Sequence, residues 1–100
     1  MPALTDLVLR AMADPTRRSI LRHVRDQELP AGAIAAQFPA ISRPAVSQHL
    51  RVLTETGLVT VRPVGNCRLY RLCPEPPPDV VAFLDEIWSD KAAAERRAQP

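Results

Sequence analysis

Ser42-Arg-Pro-Ala-Val-Ser-Gln-His-Leu-Arg-Val-Leu53 carries two faces at helical spacing. Val46, Leu50 and Leu53 recur at i, i+4 and i+7, which predicts one buried stripe. Arg43, Ser47, Gln48 and Arg51 fall on the opposite face. Ser42 suits the cap, Pro44 the first turn, and Gly57 the end, with the helix starting near Ser42 or Arg43. The exposed face holds the groups that base-edge reading needs: Gln bonds adenine bidentately, Arg guanine, and Ser either. A helix N-terminus also favours phosphate oxygens, which gives Ser42 a backbone-holding role. Arg43 to Thr54 contains no Asp or Glu, whereas an ordinary surface helix mixes signs. A shorter helix from about Pro30 to Phe38, with Ile34, Ala35 and Phe38 apolar, precedes it. The pair predicts a helix-turn-helix whose second helix can enter a DNA major groove.

Working outward, Leu4, Leu7, Val8, Ala11 and Met12 predict an amphipathic first helix that stops near Asp14. Asp14-Pro15 then restarts the chain, Asp as cap and Pro at the first helical position. The second helix turns Ile20, Leu21 and Val24 inward and Arg17, Arg18, Arg22 and Arg25 mostly outward. Downstream, Leu58-Val-Thr-Val-Arg62 and Arg68-Leu-Tyr-Arg-Leu72 flank Val64-Gly-Asn-Cys67 and predict a hairpin. Such a hairpin sits where a wing would, bringing Arg62 and Arg68 towards phosphates beside the groove. After the break at Pro74 to Pro78, a last helix from about Asp79 presents Val80, Phe83, Leu84, Ile87 and Trp88. The expected fold is mostly α with a β-hairpin wing: four helices, a hairpin and a helix, as one domain over residues 1–100.

The first and last helices, about 3–13 and 79–95, show more apolar surface than a three-helix core with a wing can cover. Leu4, Leu7, Val8, Met12, Val80, Phe83, Leu84, Ile87 and Trp88 are therefore expected at a dimer interface.

The totals agree with a small intracellular nucleic-acid-binding domain. Apolar residues make up 46%, ordinary for a globular chain rather than a disordered one. Charges or prolines interrupt every apolar run before about 18 residues, so no membrane span is expected. The first residues lack the basic-then-apolar order of a secretory signal, and two cysteines do not make a disulfide scaffold. A reducing compartment, the cytoplasm, is expected. The net charge of +2 divides unevenly. Residues 1–73 hold ten arginines against five acids, while residues 74–100 hold three cations against six acids. A basic body suits a polyanion. Catalysis has little to work with: neither His23 nor His49 has an acid–base partner in sequence, and three glycines form no phosphate loop.

Ala13-Asp-Pro-Thr-Arg-Arg-Ser-Ile-Leu21, Ser42 to Leu53, Gly57-Leu-Val-Thr-Val-Arg62 and Arg68 to Leu72 together resemble the ArsR-type winged helix-turn-helix repressors. The resemblance covers most of residues 4–90. It implies an effector-responsive homodimeric repressor, built on the first and last helices. Carried over by position, Ser42, Arg43, Ser47, Gln48, His49 and Arg51 would face double-stranded DNA, with Arg62 and Arg68 of the wing in support. Metal-sensing members carry a cysteine motif at the third helix, where this chain reads Leu29-Pro-Ala-Gly-Ala-Ile-Ala-Ala-Gln37. Others place His on the last helix, and none occurs after His49. No metal and no cofactor are therefore expected.

The expectation is a homodimer on a palindromic operator, with any small-molecule effector unidentified. Two alternatives stay open: a thiol- or metalloid-responsive repressor using Cys67 or Cys73, and a winged-helix interaction module that does not bind DNA. Six residues apart along one strand, Cys67 and Cys73 stand about 20 Å from each other. That is beyond the roughly 7 Å a disulfide allows between Cα atoms.

Overall fold

The computed structural model describes residues 4–98. The outer ends of the expected 1–100 domain, including residue 3 as a helix start, lie outside the described residues. The elements run α1 (Leu4–Ala13), α2 (Pro15–His23), β1 (Leu29–Pro30), α3 (Ala31–Ala36), α4 (Arg43–Glu55), β2 (Val59–Val64), β3 (Cys67–Leu72), α5 (Pro78–Trp88) and α6 (Asp90–Ala98). The mostly helical body with a β-hairpin is a winged helix-turn-helix.

Local chemistry explains the joints. The Asp14 carboxylate accepts from the Arg17 backbone N–H at 2.9 Å, with Pro15 opening α2. That hydrogen bond holds the Asp14 carboxyl below the usual carboxylate range. An α-helix leaves its last four carbonyls without partners. At the end of α1 two arginines supply them: Arg17 donates to the Arg10 and Ala11 carbonyls, and Arg18 to those of Met12 and Ala13. The Ser42 hydroxyl accepts from the Ala45 N–H at 3.2 Å and starts α4. Gly57, at φ +77°, ends it. There the Leu58 N–H donates to the Leu53 carbonyl and the Gly57 N–H to that of Thr54. This is the paired closure that a left-handed glycine permits, and it drops Leu58 into the core beside Leu53.

Val8, Ala11, Ile20, Val24, Ile34, Val46, Leu50, Leu53, Leu58, Val59 and Val80 form one buried cluster. The Val46, Leu50 and Leu53 stripe of α4 is buried as its spacing requires. β2 and β3 pair antiparallel from Val59↔Leu72 to Val64↔Cys67, across a two-residue Gly65-Asn66 turn. Gly65 takes φ +58° and, among the described residues, no non-glycine residue has positive φ, the pattern of a Gly-X hairpin turn. Beyond Val59 every β2 residue is exposed, so the wing projects from the body.

Four expectations need correction. Pro30 is not helical but lies in β1, which pairs with β3 through Leu29↔Tyr70 and Pro30↔Leu69. The hairpin is thus part of a three-stranded sheet in the order β1-β3-β2. Pro30 has no N–H to donate and sits on an edge strand, where that loss is tolerated. The third helix is shorter than expected, Ala31–Ala36, without a side-chain cap. The last helix is two helices, because Ser89 adopts extended backbone (ψ 157°) between α5 and α6. Finally, Val8 and Val80, expected at a dimer interface, are buried in the protomer at 0% and 7% exposure. They pack where α1 meets α5, and Met12 is half-buried against the same core.

Candidate nucleic-acid interface

The face of α4 opposite its buried stripe leaves Arg43, Ser47, Gln48 and Arg51 exposed, with the cap Ser42 beside them. Strand register decides which wing residues join them. Opposed residues of an antiparallel pair share a face, and neighbours along a strand alternate. Val61 opposes Tyr70 and Pro63 opposes Arg68, so these four share one face of the wing. Thr60, Arg62, Leu69 and Arg71 occupy the other. A groove of about 390 Å³ runs between α4 and the first of these faces, lined by Ser47, Arg51, Thr54, Val61, Arg68 and Tyr70. The structure therefore brings Ser47, Arg51 and Arg68 together along one concave surface.

Arg51 is held by its own helix, Nε donating to the Glu55 Oε1 at 2.9 Å. Both side chains are well exposed, so the pair is worth only about 0.3–0.5 kcal/mol and is readily exchanged for a base or phosphate. The Gln48 side chain makes no hydrogen bond among the described residues, so its amide is open to a partner.

Arg62 is placed differently. On the far face of the wing, its Nε and Nη2 donate to the two Glu28 carboxylate oxygens at 3.0 and 2.9 Å. Those bonds hold the Glu28 carboxyl below its usual range, with Arg71 adding a smaller pull. Arg62 and Arg68, grouped by sequence as two wing cations, point to opposite sides. Arg62 ties the wing to the segment before β1, and Arg68 faces the groove.

His49 is half-buried rather than on the open face, its Nδ1 3.3 Å from Arg17 Nη1. His23 packs edge-on against Phe38, with ring centroids 5.7 Å apart. Cys67, which opens β3, and Cys73, just past its end, are free thiols. Burial pushes the Cys73 thiol up, and its Sγ–H donates to the Glu75 carbonyl. Both effects keep it protonated, the less reactive form. Among the described residues no three His, Cys, Asp or Glu side chains gather as an ion would require. No helix among them is long and apolar enough to cross a membrane.

Sequence spacing missed three contributors. Leu9 adds to the exposed apolar surface of α1 from outside the expected stripe. Tyr70 and Thr54 line the groove, and the β2–β3 register could have shown Tyr70 once the turn was placed.

Residues 12–62 match the model of a helix-turn-helix domain family. The chain is 42% identical over 84 residues to the HTH-type transcriptional regulator Rv2034 of Mycobacterium tuberculosis, covering 84% of this chain and 78% of that one. It is 35% identical over 80 residues to an arsenical resistance operon repressor of Staphylococcus xylosus, covering 80% and 69%. Its fold matches an ArsR-like transcriptional regulator from Rhodococcus with a TM-score of 0.74 and 30% identity, over 94% of this chain and 85% of that one. The chain belongs to the ArsR-type family of winged helix-turn-helix transcriptional regulators.

Proposed function

We propose that this protein is a homodimeric repressor that reads a palindromic operator with α4 and braces it with the near face of its wing. The groove that joins Ser47 and Arg51 of α4 to Arg68 of the wing carries this reading. In it, Gln48 and Arg51 read base edges, and Ser47 and Arg43 contact bases or the adjoining phosphates. Ser42 and Arg68 hold the backbone, and Arg62 acts from the body side by fixing the wing.

The second half of the proposal concerns α1 and α5. Leu4, Leu7, Leu9, Phe83, Leu84, Ile87 and Trp88 stay exposed although Val8, Ala11 and Val80 beneath them are buried. Apolar residues gathered on two packed helices mark an interface. A two-fold axis through them covers both helices at once, in the commonest kind of oligomer contact. The same axis sets two copies of α4 about one DNA turn apart.

Selection of bound fragments from a genomic library tests the reading, followed by sedimentation of the free protein. A palindromic consensus bound by a dimer is expected. Recovery of DNA without a shared motif, or a monomer at micromolar concentration, would refute it.

A further inference from the structure

Arg17 belongs to α2, yet its side chain leaves that helix altogether. Nε donates to the Ala11 carbonyl at 2.7 Å and Nη2 to the Arg10 carbonyl at 3.1 Å, both at the end of α1. The remaining Nη1 reaches His49 Nδ1, at mid-length of α4. One guanidinium thus touches both the helix proposed for dimerisation and the helix proposed for DNA reading. The planar fork, with donors in fixed directions, suits three acceptors at once. A lysine would keep the charge but not the geometry.

The contact also decides the chemistry of His49. A guanidinium only donates, so Nδ1 must be a bare, accepting nitrogen. The geometry then puts the ring proton on Nε2, because the bond at one nitrogen sets the state of the other. Asp14, whose carboxylate accepts from the Arg17 backbone N–H at 2.9 Å, completes the polar cluster. Held this way, the histidine offers an N–H at its other nitrogen. It suits a phosphate oxygen or a purine N7 and does not suit the amino groups of adenine or cytosine.

We infer that Arg17 is a positioning residue for DNA recognition: it ties α4 to the end of α1 and holds His49 as a donor through Nε2. This rests on the reading of α4 as the DNA-facing helix.

The first test needs no DNA. Long-range proton–nitrogen NMR of the free protein should show His49 as the Nε2–H tautomer, and Arg17→Lys should disturb that signal. Operator and random-duplex binding of Arg17→Lys, His49→Phe and the double variant then follow at one salt concentration. Each single variant should weaken operator binding about tenfold, the scale of one lost hydrogen bond to a charged group. Random-duplex affinity and its salt dependence should hold in Arg17→Lys, since the charge is kept. The double variant should bind no worse than His49→Phe, because both act through one contact. An Nδ1–H tautomer in the wild type, full operator affinity in Arg17→Lys, or additive losses would each overturn the inference. Should Arg17→Lys fail to fold, the wild-type tautomer and His49→Phe still decide. A wild type that selects no operator would remove the reading of α4 itself, and the inference with it, whatever the tautomer shows.

Discussion

Two surfaces of this molecule are equally exposed and chemically opposite. On one, the outer face of α4 and the near face of the wing present Ser47, Gln48, Arg51 and Arg68. On the other, α1 and α5 present Leu7, Phe83, Leu84 and Ile87, each about 40% exposed, and Trp88 at 64%. Water satisfies the first surface at little cost, so its polarity alone identifies nothing; the acid-free run from Arg43 to Thr54 and the groove shape set it apart. The second is costly for a lone protomer, so its exposure is itself informative. Exposure marks function when it runs against solvation, and chemistry marks it when solvation is indifferent.

The largest expected effect comes from breaking the apolar surface. Ile87→Asp or Leu84→Asp puts a charge where a partner helix would pack, and an unpaired buried charge costs several kcal/mol. Dimerisation should be lost, and operator affinity should fall by about 100-fold or more, each 1.4 kcal/mol being tenfold. Sedimentation and operator binding on the same samples check this. A monomeric variant with undiminished operator affinity would separate the two surfaces and end the claim that one serves the other.

Next in size is Gln48→Ala, which sharpens the polar side of the comparison. Loss of a bidentate base contact should cost about 1–3 kcal/mol on the operator and nothing on random duplex. Equal losses on both would show that Gln48 touches only the backbone.

Much of this was legible before the fold was known. The α4 stripe needed only its i, i+4, i+7 spacing, and Asp14-Pro15 and Gly57 announced the joints through backbone chemistry that tertiary context does not override. What escaped was whatever depends on distant partners. β1 is two residues long, too short to show a period, and Leu29–Pro30 becomes a strand only because β3 lies alongside. Val8 and Val80 read as interface because the packing of α1 on α5 is not written in either helix alone. Arg62 and Arg68 differed by strand parity, which was available from the sequence, but Glu28 as partner lies 34 residues away.

Those two arginines provide the third comparison. Arg68→Ala should weaken all duplexes alike and lower the salt slope by about one unit, as for one lost phosphate contact. Arg62→Ala should leave that slope unchanged and loosen the wing instead, measurable as faster amide exchange in β2. A lowered slope for Arg62→Ala would place it on phosphate, with Glu28 only its partner in the unbound state.

The smallest effect is one of pH, and its sign follows from the Glu28 carboxyl being held below its ordinary value near 4.5 by Arg62. A depressed carboxylate binds fewer protons folded than unfolded, so the pair stabilises the fold fully above about pH 4.5. That contribution is lost as pH falls further, through the lower folded value, where the folded carboxylate takes up its proton. Glu28→Gln has no proton to gain. At pH 7 it should melt slightly below the wild type, because a neutral amide holds Arg62 less well, and the gap should close below pH 4.5. Asp14 shifts in the same direction, but it is present in both proteins and cancels in the difference. Arg62 is largely in water and Glu28 partly so, so the gap should also shrink in high salt, as exposed pairs are screened. Thermal melts of the two proteins from pH 7 to pH 3, at low and high salt, measure it directly. A gap constant across that range would mean that Glu28 supports the wing by shape alone and that Arg62 does not depend on its charge.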